Sequence, residues 1–187
     1  MDETAWEAQH SAFRAARDAI IACALPAIAV VHGAAYAGGL ELALACDFIY
    51  AADNARFALT EATLGIMPGM GGTQTLPRAV GSRRAKEILF TGQAFSAQEA
   101  MEWGLVNRVA PADSLWQQAE QTAETIASNA PLSIQAIKAC VNEGAALSLE
   151  RGFTHELSRY HLLLRSKDRH EGINAFNEKR KPRFSGE

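Results

Sequence analysis

A chain of 187 residues, 48% apolar and 21% charged, has room for one domain with a sizeable core and a helical appendage. A formal net charge of −3 removes any general electrostatic reason to expect nucleic acid as a partner. Three widely spaced cysteines (Cys23, Cys46, Cys140) form neither a disulfide framework nor a zinc pattern, and the histidines show no ligand spacing; this points to a reducing cytoplasm and no metal site.

The chain opens on an expected amphipathic helix, with Trp6, Phe13, Ala16 and Ile20 at helical spacing. No Asp, Glu, Lys or Arg occurs from Ala19 to Leu40, a run long enough to span a bilayer. It is rich in Ala rather than Leu, however, and Pro26, His32, Gly33, Gly38 and Gly39 interrupt it, so buried elements joined by tight turns explain it better. Nor does the start resemble a signal peptide, and the chain reads as soluble with no membrane partner. Pro26 ends the first helix, and Ala27 to Val31 reads as a buried strand. The turn HGAAYAGG follows, then a short helix from about Leu40 to Cys46. Phe48 to Ala51 and Phe57 to Thr60 read as two further strands. Strands alternating with short helices indicate an α/β layer with parallel pairing.

From Gly71 on the pattern turns helical. Ser96-Ala97-Gln98-Glu99 is a capping box opening a helix that stops at Gly104, and Leu105 to Val109 reads as a short strand. Long helices are expected from Asp113 to Ser128, Pro131 to Glu143 and Leu149 to Arg165, with Asp168-x-x-Glu171 capping a last helix toward Arg180. No internal repeat is evident.

Two glutamates carry the chemistry. Glu41 lies in HGAAYAGGLELALACD, from His32 to Asp47, and Glu61 in FALTEATLGIMPGMGGTQTLPRAVG, from Phe57 to Gly81. Each stands beside a glycine-rich turn in an apolar stretch, where carboxylates are seldom buried unless paired or put to use. A helix starting after Gly38-Gly39 presents free N–H groups at a positive dipole end. Gly-Gly turns more often serve close packing, and either acid taken alone reads as well as a cap or loop residue. Together they suggest acid–base chemistry on a carbonyl compound.

These two segments, with FTGQAFSAQEAMEWGLVNRV from Phe90 and AFNEKRKPRF from Ala175, resemble the crotonase (enoyl-CoA hydratase/isomerase) superfamily over almost the whole chain. The likeness is strongest to hydratases, near the methylglutaconyl-CoA hydratase group, some of which also bind AU-rich RNA. It implies an α/β fold with a ββα spiral core, the C-terminal part of which is here residues 1–110, and a helical C-terminal trimerisation region, residues 111–187. It further implies a homotrimer or dimer of trimers, a place in fatty acid metabolism, and no cofactor, since coenzyme A is part of the substrate. Gly38 would supply one N–H of the oxyanion hole, and Glu41 and Glu61 match the two catalytic glutamates. Having both favours syn hydration of a 2-enoyl-CoA over isomerisation. Tyr36, Ala37, Gly39, Thr60 and Gly69 would line the substrate site, Ala37 standing where many relatives have a third glycine. Phe176 and Lys179 are the best candidates for coenzyme contacts in a basic tail that otherwise reads as a solvated helix end.

The resemblance implies a further segment before the position of this Met1, holding a loop of the type F-C-A-G-A-D that would give the second oxyanion N–H. The chain resembles a member that starts late. On its own it is expected to associate, to be poorly soluble, and to turn over enoyl-CoA poorly or not at all. The alternatives are a non-catalytic or impaired protein that keeps the fold, and a methylglutaconyl-CoA hydratase or RNA-binding relative, the last disfavoured by the acidic balance.

Overall fold

The computed structural model describes residues 2–187. The elements run α1 (Glu3–Ala22), β1 (Ile28–Val31), β2 (Ala34–Tyr36), α2 (Gly38–Ala45), β3 (Phe48–Ala52) and β4 (Arg56–Ala58). A turn of 3-10 helix (Glu61–Leu64) follows, then α3 (Gly72–Val80), α4 (Ser82–Thr91), β5 (Phe95–Ser96), α5 (Ala97–Glu102) and β6 (Arg108–Ala110). The remainder is helical: α6 (Ala112–Ala127), α7 (Pro131–Gly144), α8 (Leu149–Leu163) and α9 (Lys167–Asn177). No helix among the described residues is long and apolar enough to cross a membrane.

The chain divides into two compact units, one built from α1 and Ala27–Ala119, the other from Ala24–Pro26 and Glu120–Glu187. In the first unit β1, β3 and β6 form one parallel sheet in the order β1-β3-β6. A second sheet runs β2-β4-β5, with β2 and β4 parallel and β5 antiparallel. The arrangement repeats a two-strand, one-helix step. β1, β2 and α2 make one turn, and β3, β4 and α3 make the next, each strand of the second turn pairing with its counterpart in the first. This repeat is invisible in the residues because it lives in backbone pairing. At the corner between β1 and β2, Gly33 takes φ +91 and its carbonyl accepts from the Arg56 N–H at 2.8 Å.

The core explains the abundance of alanine. Ala51, Ala52, Ala55, Ala58, Ala97 and Ala100 are fully enclosed, so neighbouring backbones approach closely, while Phe57, Leu40, Leu59, Leu76 and Leu115 fill the volume. Leu115 and Ala119 of α6 belong to this core, so the division between units falls inside that helix.

Several expectations need correction. HGAAYAGG is not all turn: Ala34–Tyr36 is a strand, too short to show an alternation period. Ala27 to Val31 forms its strand over Ile28–Val31, but at a sheet edge and only half-buried. The last strand of the core is Arg108–Ala110, later than Leu105 to Val109, because Leu105 and Val106 pack into the core ahead of it. The Trp6, Phe13, Ala16, Ile20 stripe is not a buried face. Trp6 and Phe13 are 48% and 41% exposed, and α1 instead turns His10 and Arg17 toward the loop before α3.

In the helical unit the cap of α9 is Ser166, whose hydroxyl accepts from the Arg169 N–H, and not Asp168. Asp168 is buried and accepts from the Ser185 and Gly186 N–H groups at 2.6 and 2.9 Å, tying the C-terminal segment down. Glu171 binds Arg180 and the Arg183 N–H, which hold its carboxyl down at about 2. Between α7 and α8 runs an apolar groove of about 490 Å³ lined by Ile137, Cys140, Val141, Leu157 and Tyr160.

Candidate active site

Backbone register brings the two glutamates to one place. β2 and β4 are parallel with Tyr36 opposite Ala58, so the segments leaving them emerge side by side at the carboxyl end of the sheet. The Ala37 N–H donates to the Ala58 carbonyl at 2.9 Å, carrying the pairing one residue beyond the strands. From there one segment starts α2, with Glu41 in its first turn, and the other reaches Glu61 at the start of the 3-10 turn.

Ala37 caps α2 with φ +49 and ψ −124, a conformation that favours glycine. Its carbonyl accepts from Leu40 and Glu41, so the N–H groups of Gly38 and Gly39 lie ahead of the first intrahelical bonds and stay available at the positive end of the helix. A Cβ on Gly38 would sit 3.4 Å from the Met70 sulfur, and Gly39 has open space where a Cβ would be.

Glu41 is 3% exposed, and its Oε1 accepts from two backbone N–H groups, Met70 at 2.8 Å and Gly72 at 2.7 Å. Gly72 is the first residue of α3, so the carboxylate also lies at that helix's positive end. The loop reaches it because Gly71 takes φ +111 and because Gly72 has no side chain: a Cβ there would stand 3.1 Å from Glu41 Oε1. Arg17 fastens the same loop from α1, donating to the Met70 carbonyl at 3.2 Å.

Glu61 is in a different setting. It is 7% exposed, and its Oε2 is buried without a hydrogen-bond partner among the described residues. Burial raises its pKa above the ordinary carboxylate value and the charge of Glu41 adds to that, while a hydrogen bond from its own backbone N–H pulls the other way. One acid is clamped by backbone donors and the other is desolvated with a bare oxygen. Such unlike environments separate the roles of two neighbouring carboxylates.

The structure thus gathers Ala37, Gly38, Gly39, Glu41, Thr60, Glu61 and Gly69 around the β2 and β4 ends and the 68–72 loop. Thr60 immediately precedes Glu61, and its carbonyl accepts from the Thr63 N–H and hydroxyl. Gly69 sits under the His10 ring, where any Cβ would collide with Nε2. Tyr36 ends β2 with its side chain 42% exposed. Phe176 and Lys179 belong to the helical unit; Phe176 is 83% exposed and Lys179 adopts φ +55 just past α9.

Met70, Gly72, His10 and Arg17 escaped the sequence reading. The Gly71-Gly72 pair was the one visible signal, since a glycine at a helix start beside a known acid is a place where backbone can touch a carboxylate.

Residues 3–187 match the family model for enoyl-CoA hydratase/isomerase. The chain is 45% identical over 161 residues to the 2,3-dehydroadipyl-CoA hydratase of Escherichia coli, covering 86% of this chain and 63% of that protein. It is 43% identical over 159 residues to the crotonyl-CoA hydratase of Syntrophomonas wolfei, covering 85% and 61%. The chain therefore spans a little over three fifths of the length of these relatives. The crystal structure of an enoyl-CoA hydratase from Bacillus anthracis superposes with a TM-score of 0.99 at 44% identity, over 100% of this chain and 72% of that one. The chain belongs to the enoyl-CoA hydratase/isomerase family.

Proposed function

We propose that Glu41 and Glu61 hydrate a 2-enoyl-CoA thioester by syn addition of water, giving a 3-hydroxyacyl-CoA. The observation that carries this reading is the unlike state of the two acids: Glu41 held through Oε1 by two N–H groups, Glu61 desolvated with Oε2 unbonded. Glu41 takes a proton from water as the water oxygen bonds to C3. The electron pair of the double bond moves toward the thioester oxygen, where the Gly38 N–H at the start of α2 stabilises the developing charge. Glu61 then gives its proton to C2. Glu41 ends protonated and Glu61 ionised, and one proton exchange with solvent resets the pair. Both acids act from one side of the substrate, which makes the addition syn.

Relatives named for crotonyl-CoA and 2,3-dehydroadipyl-CoA support a 2-enoyl thioester as the substrate class. In this reading Tyr36, Ala37, Gly39, Thr60 and Gly69 border the acyl group, while Phe176 and Lys179 contact the coenzyme. No further cofactor takes part. The exposed apolar groove between α7 and α8 supports self-association, as a trimer or a dimer of trimers. Cys23, Cys46 and Cys140 are in no disulfide, in keeping with a cytoplasmic setting.

Hydration of crotonyl-CoA in heavy water tests the chemistry. The product should carry one deuterium at C2, on the same face as the new C3 hydroxyl. Deuterium on the opposite face, or at C4, would overturn the paired-acid mechanism.

A further inference from the structure

The clamp on Glu41 depends on how the consecutive peptide units of the loop are turned. The N–H groups of Met70 and Gly72, two residues apart, both donate to Glu41 Oε1, at 2.8 and 2.7 Å. Such an anion-holding concavity forms around a residue in the left-handed region, and Gly71 supplies it at φ +111. The carbonyl of the peptide between them, Met70 to Gly71, accepts instead from Arg17 Nη1 of α1 at 3.2 Å. Turned over, that peptide would point its oxygen into the concavity and repel the carboxylate. Glycine at position 71 puts little steric barrier in the way of such a turn, so the loop alone does not fix it.

Arg17 is held in a way that does fix it. Its Nε and Nη2 both donate to Asp18 Oδ1, at 2.8 and 2.6 Å, which leaves Nη1 as the nitrogen aimed at the loop. Arg17 Cδ and Nη1 each lie 3.5 Å from where a Cβ on Gly71 would be, so the side chain passes directly across the residue whose rotation matters. The Arg17 side chain is 23% exposed, against 62% for Asp18. Ordering so long a side chain costs rotamer freedom, which the charge-assisted bond to the Met70 carbonyl, of the stronger class, offsets. An anchor for α1 could use any carbonyl of the 68–72 loop; the one taken belongs to the peptide whose orientation decides the clamp.

We propose that Arg17 is a positioning residue: it locks the Met70–Gly71 peptide with its carbonyl turned outward, Asp18 orienting the guanidinium, and so fixes the Glu41 carboxylate for reaction. Its effect on rate rests on the hydratase reading, and the test separates the two. Amide hydrogen exchange is measured by NMR on the whole chain and on Arg17→Met, Arg17→Lys and Asp18→Asn, alongside single-turnover hydration of crotonyl-CoA over a range of concentrations. In Arg17→Met the Met70 and Gly72 amides should exchange about tenfold faster or more, while the Ala37 amide, bonded to the Ala58 carbonyl, is unchanged. Arg17→Lys, which keeps a donor, should recover part of the protection, and the milder Asp18→Asn should lose part of it; should Arg17→Met not fold, these two carry the same comparison. In a chain that hydrates crotonyl-CoA, the maximal rate should fall in step, about tenfold in Arg17→Met, with the half-saturating concentration within about twofold. Unchanged exchange at Met70 and Gly72, an equal rise at Ala37, or faster exchange with an unaltered maximal rate would overturn the assignment. Faster exchange at those two amides in a chain that shows no hydration would remove the hydratase reading and leave Arg17 as the lock of the Glu41 clamp.

Discussion

The Gly72 N–H donates to Glu41 Oε1 at 2.7 Å, and a methyl group on Gly72 would lie only 3.1 Å from that same oxygen. The glycine therefore both makes the bond and makes room for it. Gly72→Ala would also press on Glu41 Cγ and Pro68 Cβ, at 3.2 and 3.1 Å, so the carboxylate must shift. Displacing a reacting group by about 1 Å can lower a rate about 10²-fold. A fall of that size in crotonyl-CoA hydration, with the circular dichroism spectrum unchanged, is the expected outcome.

Ala37 holds φ +49 because its N–H and carbonyl are both tied, to Ala58 on one side and to Leu40 and Glu41 on the other. Backbone strain of this kind costs on the order of 1 kcal/mol or more. Ala37→Gly should therefore stabilise the protein by about 1 kcal/mol in denaturant titration, the reverse of the usual effect of introducing glycine. A destabilised variant would mean that the Ala37 methyl makes a compensating contact.

Glu61 links stability to pH. Its folded pKa is raised, so the protonated acid is favoured in the native state, and its contribution is fully present below the unfolded value of 4.5. That contribution is lost as pH rises through the higher folded value. Glu61→Gln cannot ionise, so its melting temperature should exceed that of the unsubstituted chain at neutral pH, with the gain vanishing below the ordinary carboxylate range. Thermal scans of both proteins across pH decide this, and a gain independent of pH would contradict it.

The C-terminal segment behaves in the opposite sense. Glu171 has its pKa held down at about 2, so the contribution of its bonds to Arg180 and Arg183 is present above 4.5 and lost as pH falls between these values. The buried Asp168 holds the Ser185 and Gly186 N–H groups nearby. Asp168→Ala should strip both amides of their acceptor and speed their hydrogen exchange at least about tenfold, since an amide bond to a charged acceptor contributes about 1.5–3 kcal/mol. Unaltered exchange would mean that the segment is held elsewhere.

What the residues alone reveal divides along physical lines. Helices with strong local signals, such as the Ser96–Glu99 capping box, are legible because their determinants lie within one turn. The pairing of β2 with β4 is not, because three-residue strands carry no period and their partners lie more than twenty positions away. The same limit applied at the site. Glu41, Glu61 and Gly38 stand out by residue type and neighbours, while Met70 and Arg17 matter through what the fold places beside them. Asp168 misled for a related reason: an acid near a helix start looks like a cap, and only the returning C-terminal segment shows that it binds elsewhere.

The central claim, that Glu41 and Glu61 act as a pair, is tested most directly by single-turnover hydration of crotonyl-CoA at high protein concentration, followed by loss of the enoyl absorbance. The unsubstituted chain, Glu41→Gln and Glu61→Gln are compared side by side. Slow as its turnover on its own is expected to be, the chain should hydrate the substrate faster than buffer does, and each variant should lose that excess by up to about 10²-fold or more, since Gln keeps size and polarity but cannot exchange a proton. A rate that is the same in all three proteins, whether appreciable or no greater than in buffer, would contradict the account.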